Sequence, residues 1–288
     1  MYEEDRLRQF HEGHKGILEC CLTTALKIAM IELPTLINAT NPQRRPRINM
    51  QHLQIAVPSK GNRSTRKNAQ YHAFRQASVA AMNDENKVKY APLRVSPTID
   101  MTHPLVTWAQ MAAYVSLGEL VVLADSMMRR NAVKYRYTVQ DFKDLLDALP
   151  QRFPHRASCL LALQYMRERT DSSMETRMRL ALGNTKVPEL MTLAINHPAT
   201  IDNGKTVYLD MAIPDLHIGI EYSGRHHAEQ WEDDEARRTA LTAANWKAFT
   251  ANAETLGNAA KWNTFVTQLR LAILEQHRGN LANDNPRL

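Results

Sequence analysis

Two carboxylates pose the first chemical question. Residues 205–213 (KTVYLDMAI) alternate apolar and polar side chains, and after 214–217 the chain resumes as IGIEY over 218–222. Such alternation predicts two strands. Val207, Leu209, Met211 and Ile213 then share one face; Thr206, Tyr208, Asp210 and Ala212 share the other. With residues 214–217 as the connecting loop, Ile213 pairs with Ile218 and Asp210 falls opposite Glu221. Like charges directly opposed across a ladder are destabilising. The pair is therefore either solvated or holds something positive between its members. Hard divalent cations suit that role, since they take oxygen ligands and invert the local charge balance; Mg²⁺ is the expected ion and Mn²⁺ the alternative.

Glu175 is a third carboxylate, near the start of the helix expected from Ser172 to about Leu182. Ser172-x-x-Glu175 also fits a capping box, so the same residue has a purely local use. His226 and His227 follow the Glu221 strand just beyond Gly224, where an imidazole beside a metal can orient water or carry a proton. Asp233, Asp234, Arg237 and Arg238 have helical spacing and read as a charged, solvent-facing side. A different chemistry is concentrated earlier. Residues 33–83 hold no acid, while Arg44, Arg45, Arg47, Lys60, Arg63, Arg66, Lys67 and Arg75 make eight cations. Lys60, Arg63, Arg66 and Lys67 lie within one turn, a plausible surface for a phosphate backbone.

These residues need a scaffold. The second half reads as αβββαβα: the helix from Ser172, a strand around 190–195, an Asp202-Asn203-Gly204 turn, the two strands above, a helix over 229–244, a strand over 247–251 and a helix over 258–277. The first half reads as mixed and largely helical, with helices over 16–31, 105–129, 139–149 and 157–168. A strand over 52–57 and a return strand over 70–74 flank the basic turn. The expected division is 1–168, a basic domain for nucleic-acid binding or regulation; 169–278, which carries the acids; and 279–288, a loose tail. The fold class is α/β (α+β).

Composition narrows the class of protein. At 288 residues, 44% hydrophobic and 23% charged, the chain has enough apolar material for about two cores, which excludes disorder as its main state. The uncharged run 101–118 contains Thr102, His103, Pro104 and Gln110, too polar to span a membrane. Three cysteines, Cys20, Cys21 and Cys159, make no disulfide framework and no zinc pair. A cytoplasmic protein with no membrane partner is expected. The net charge of +6 lies wholly in residues 1–150; residues 151–288 balance.

The combined pattern resembles a known family. Met174-Glu175-Thr176-Arg177, then LDMAIPDLHIGIEYSGRHH over 209–227, then Asp234, Arg237, Leu241, Asn245 and Trp246 at D-x-x-R-x-x-x-L-x-x-x-N-W spacing are similar to the very-short-patch-repair-like endonuclease domains of the PD-(D/E)XK superfamily. The resemblance covers about 170–256. It implies an αβββαβ restriction-endonuclease-like core and a Mg²⁺-dependent hydrolysis of phosphodiester bonds in DNA, with RNA left open as a partner. It implies Glu175, Asp210 and Glu221 as the acidic metal-site residues and His227 as the family histidine. Residues 16–130 more loosely resemble the region preceding such domains in AbiEi-type antitoxin proteins. Ser223 departs from the pattern, standing where the family has Asp and where many superfamily nucleases have Lys. Serine neither holds a divalent ion strongly nor supplies positive charge. The alternative expectation is therefore a nuclease-fold DNA-binding regulator or antitoxin-like component that no longer cuts. Asn245 replaces a glycine, and Asn tolerates the left-handed backbone such a helix end needs.

Overall fold

The computed structural model describes residues 2–12, 16–38, 47–73, 82–132, 134–201, 204–224 and 231–284, without the side chains of 231–234 and 281–284. The chain divides into two compact units, Met1–Glu168 and Arg169–Leu288. Both mix helices with a sheet. Among the described residues no helix is long and apolar enough to cross a membrane.

Unit 1 contains α1 (Glu3–His11), β1 (Leu18–Cys20), α2 (Leu22–Ile28), β2 (Leu53–Ala56), β3 (Ala69–His72), α3 (Asp84–Lys89), β4 (Leu93–Ser96), β5 (Ile99–Met101), α4 (Pro104–Met111), α5 (Leu117–Met127), α6 (Val139–Ala148) and α7 (Arg156–Tyr165). Its five-stranded sheet has the order β3-β2-β1-β5-β4. Three expectations fail here. The apolar run 16–31 is not one helix: Leu18–Cys20 forms the central strand, and the chain turns into α2 through Leu22 at φ +47. A strand of three residues, Leu-Glu-Cys, is too short for its alternation to stand out inside a longer apolar run. The span 105–129 is two helices, parted at 112–116, with Ser116 capping α5 by accepting from the Glu119 N–H. Finally, β3 is no hairpin return, because it runs parallel to β2, pairing Leu53 with Ala69 and Ala56 with His72. Residues 57–68 are the crossover, long enough for a parallel connection. The core is completed by Trp108, fully buried, whose indole N–H donates to the Leu120 carbonyl at 3.0 Å and whose ring meets Phe142 edge-on at 4.8 Å.

Unit 2 contains α8 (Ser173–Gly183), α9 (Pro188–Met191), β6 (Ala194–Thr200), β7 (Thr206–Ile213), β8 (Ile218–Ser223), α10 (Trp231–Ala243), β9 (Lys247–Asn252), α11 (Ala253–Gly257) and α12 (Ala259–Asp284). Where a strand was expected over 190–195, residues 188–191 form a short helix opened by Pro188 at its first turn, and the strand begins at Ala194. The last helix runs past Gly279 to Asp284, into the stretch expected to be loose. The sheet order is β6-β7-β8-β9, antiparallel except for β8 and β9. Apolar clusters cover both faces. Met178, Leu182, Met211, Ile213, Ile220 and Leu269 pack together on the α8 and α12 side, while Leu209, Ala212, Leu241 and Trp246 pack on the α10 side. Gly219 makes room for this packing: a Cβ there would stand 3.0 Å from both terminal carbons of the buried Leu209, which would have to give way. Gly204 holds φ +75 at the end of the turn between β6 and β7, as an Asn-Gly turn needs; Asp202 and Asn203 lie outside the described residues.

The helix α10 ends as its sequence suggests. Asn245 adopts φ +61, its N–H reaches the Thr242 carbonyl, and the Trp246 N–H reaches Leu241. That pair of bonds is a Schellman closure, with Asn in the left-handed position.

Candidate functional site

The hairpin holds the expected register, Ile213 with Ile218 and Met211 with Ile220. The expected face assignment does not survive. Val207 and Leu209 pack with Ala212 in one cluster, while Met211 and Ile213 pack in the other. The strand therefore switches faces between Leu209 and Met211, at Asp210. On the neighbouring strand the same level falls at Asn196, between the pairs Ile195–Met211 and His197–Leu209, and Asn196 has φ +50. A left-handed residue breaks the alternation of a pleated strand, and Asn is among the few side chains that tolerate it.

That switch puts Asp210 where two groups of acids meet. The paired ladder ends at Met211–Ile220, so Asp210 and Glu221 do not form a ladder pair; instead the Asp210 carboxylate accepts the Tyr222 backbone N–H at 2.8 Å. Burial pushes the Asp210 carboxyl up to about 7, and Glu175 pushes in the same direction. The Tyr222 N–H pulls it down, Glu221 raises it further, and Arg237 lowers it. Carboxylates from α8 and β8 thus act on the Asp210 carboxyl of β7.

Each of the other two acids also has a partner. Ser172 caps α8 by accepting the Glu175 N–H at 3.2 Å, and the Glu175 carboxylate accepts the Asp171 N–H at 3.0 Å. The box closes one residue earlier than its usual form, so the capping use of Glu175 is real. Glu221 is held by Arg237, whose Nη2 and Nε lie 2.5 Å and 3.2 Å from Oε1; Nη2 also reaches the Tyr208 carbonyl at 2.5 Å. Arg237, expected on a solvent-facing side, instead turns to the Glu221 carboxylate. Its signal was present: Arg237 precedes the fully buried Leu241 by four positions, so both lie on the face of α10 turned to the sheet.

Ser223, at the end of β8, brings no charge, and its hydroxyl leans on the Gly224 carbonyl at 3.4 Å. His226 and His227 lie outside the described residues, as do Arg44, Arg45 and Arg75. Among the described residues no group of three or more His, Cys, Asp or Glu side chains is gathered as a metal-binding cluster. The donor chemistry nevertheless fits a hard cation. Glu175, Asp210 and Glu221 offer only oxygen, and the Asp210 carboxyl is raised first by burial and then by the two neighbouring acids, with Arg237 opposing them. Asp210 and Glu221 would hold such an ion, helped by Glu175.

The four cations of the basic connection are all exposed. Lys60 lies on a single 3₁₀ turn, Lys60–Asn62, and Arg63 stands near enough to His72 to lower its pKa further, after burial. Arg66 is tied down, donating to the Phe10 carbonyl at 3.0 Å with its guanidinium 5.5 Å from the Phe10 ring centre. Comparison with family models, curated proteins and solved structures finds no match.

Proposed function

We propose that unit 2 is a metal-dependent endonuclease-like domain that hydrolyses phosphodiester bonds in DNA, Mg²⁺ being its ion and Mn²⁺ the alternative. The observation that carries this reading is the Asp210 carboxyl, pushed up to about 7 by burial and by Glu175 and Glu221 from two other elements. Perturbed carboxylates gathered from separate elements mark functional sites more often than ordinary surface. The αβββαβ order and the resemblance over 170–256 support the same reading. When bound, the ion supplies polarisation of the phosphoryl oxygen and a lower pKa for the attacking water. The protein's own part is to present Asp210 and Glu221 from parting strands and to keep the Arg237 guanidinium beside Glu221. His227 is the candidate proton carrier. Unit 1 supports phosphate-backbone binding through Lys60, Arg63 and Lys67, and the buried free thiols of Cys20, Cys21 and Cys159 suit a reducing cytoplasm.

The Arg237–Glu221 ion pair and the uncharged Ser223 favour a second reading, a nuclease-fold DNA-binding regulator or antitoxin-like component that does not cut. Incubation of plasmid, single-stranded and branched DNA with wild-type protein and Mg²⁺ or Mn²⁺ separates the two. Nicking that is lost in Asp210→Ala, and raised in Ser223→Asp, supports the first. Retention of DNA without cleavage by either wild type or Ser223→Asp establishes the second.

A further inference from the structure

A groove of about 420 Å³ lies between the C-terminal end of α8 and α12, lined in part by Asn184, Thr185, Trp262, Asn263, Thr267 and Arg270. That volume is within the range of small-molecule clefts, about 300–1,000 Å³. It is separate from the acids. Glu175 sits in the first turn of α8 and Asn184 caps its far end, roughly 13 Å away along the axis at 1.5 Å per residue.

The lining has a consistent chemistry. No carboxylate faces the groove, and its charge is the Arg270 guanidinium, which gives one N–H to the Thr185 carbonyl at 3.3 Å and keeps further donors. Both hydroxyls are spent on backbone, Thr185 on Leu182 and Thr267 on Asn263. The side chains of Asn184 and Asn263 are exposed at the groove's edge, and Trp262 is half-buried. The half-buried Trp262 ring is fixed in its plane by Phe265, 5.9 Å away with the ring planes 27° apart. A half-buried aromatic ring, two exposed amides and an arginine without an acid in the lining match what a nucleotide needs: stacking for the base, paired donors and acceptors for its edge, and a fork for its phosphate.

We infer that this groove binds one nucleotide, with the base on Trp262 and the phosphate on Arg270, presented free or as one unit of a strand. The inference goes beyond the proposed hydrolysis and does not require it. Its test is calorimetric titration of the full chain in EDTA with dAMP, with adenosine, and with a short oligo(dA). Saturable binding is expected, weakened about tenfold or more by Trp262→Leu. Arg270→Gln should weaken dAMP or the oligonucleotide and leave adenosine unchanged. Binding of dAMP points to a free nucleotide, and binding of the oligonucleotide alone to a strand subsite; either supports the groove. No binding of any ligand, or binding unchanged in both variants, overturns it. Because EDTA removes the ion that the acid site calls for, such a failure faults the groove and leaves the proposed hydrolysis standing.

Discussion

Each unit sets acids side by side on its sheet, and the two solutions differ. In unit 1, Glu19 on β1 and Asp100 on β5 are in-register partners of a parallel pair. Burial raises the Glu19 carboxyl, Thr102 donates to it at 2.7 Å and lowers it, and Asp100 raises it. Asp100 in turn is paired with Arg94 of β4, whose Nε lies 2.5 Å away. These partners come from the sheet or from the residue just past its β5 strand, with a register shift between Arg94 and Ser96. In unit 2 the acids come from a helix and two strands that part where the acids meet, and the compensating Arg237 arrives from another helix. The first arrangement closes charge within a sheet. The second leaves Asp210 at about 7 and movable by whatever approaches it.

The comparison breaks most visibly through activity. Asp210→Asn should lower any metal-dependent cleavage by at least about 100-fold, the lower bound for losing an acid–base or ligand group. Glu19→Gln should leave the rate within about twofold, since its role ends in hydrogen bonds within its own sheet. Equal losses in initial-rate assays would mean that the unit 1 pair is no mere structural pair. Stability gives the next largest effect. The folded Asp210 carboxyl titrates near 7 against about 3.9 in an unfolded chain. The folded state thus binds the proton more tightly, so this group's contribution is favourable below about pH 4 and is lost as pH rises to 7. Asp210→Asn should flatten that slope and stabilise the protein at pH 8 by about 1–3 kcal/mol in urea denaturation.

Much of this was legible where the determinant was local. The 206–223 hairpin follows from alternation and a loop of four, the Ser172 cap from one motif, and the left-handed Asn245 from the known habit of helix ends. The face switch at Asp210 was not legible, because Leu209 and Met211 are apolar whichever side they face. It coincides with a left-handed residue on the neighbouring strand, Asn196, fourteen positions away. The Glu19–Asp100 pair was hidden for a related reason: eighty-one positions of chain separate the partners, and β1 was masked inside an apolar run. Arg237 sits between these cases. Its spacing from Leu241 was visible, yet its partner Glu221 lies across a helix–sheet interface that a helical pattern alone does not identify.

The two arginines sharpen the contrast further. Arg237 gives two hydrogen bonds to Glu221 and one to a backbone carbonyl, with its side chain 35% exposed. Arg94 is 55% exposed and pairs with Asp100 on the rim of its sheet. Arg237→Gln should therefore cost about 1–2 kcal/mol, and Arg94→Gln under about 1 kcal/mol, the usual ceiling for an exposed pair. Denaturation midpoints at pH 8 and low salt measure both. The reverse order would mean that the Glu221 pair is held weakly and opens readily.

The smallest expected effect lies in the basic connection of unit 1 and shows in salt dependence more than in affinity at any one salt concentration. Lys60, Arg63 and Lys67 are exposed on a crossover that carries no acid. Each phosphate contact releases counterions and contributes about −0.9 to the slope of log affinity against log salt on duplex DNA. Neutralising these three together should make the slope shallower by about 2–3, with little dependence on sequence, since phosphate contacts position a protein without reading bases. Arg66 differs from them in being spent on the Phe10 carbonyl and ring. Arg66→Gln should change the slope by less than a full contact and instead loosen the tie to α1, read as faster amide exchange near Phe10. A triple variant with an unchanged slope would make the crossover ordinary solvated surface. A slope that fell with Arg66→Gln alone would mean that DNA competes for this arginine and that the tie to Phe10 is broken on binding.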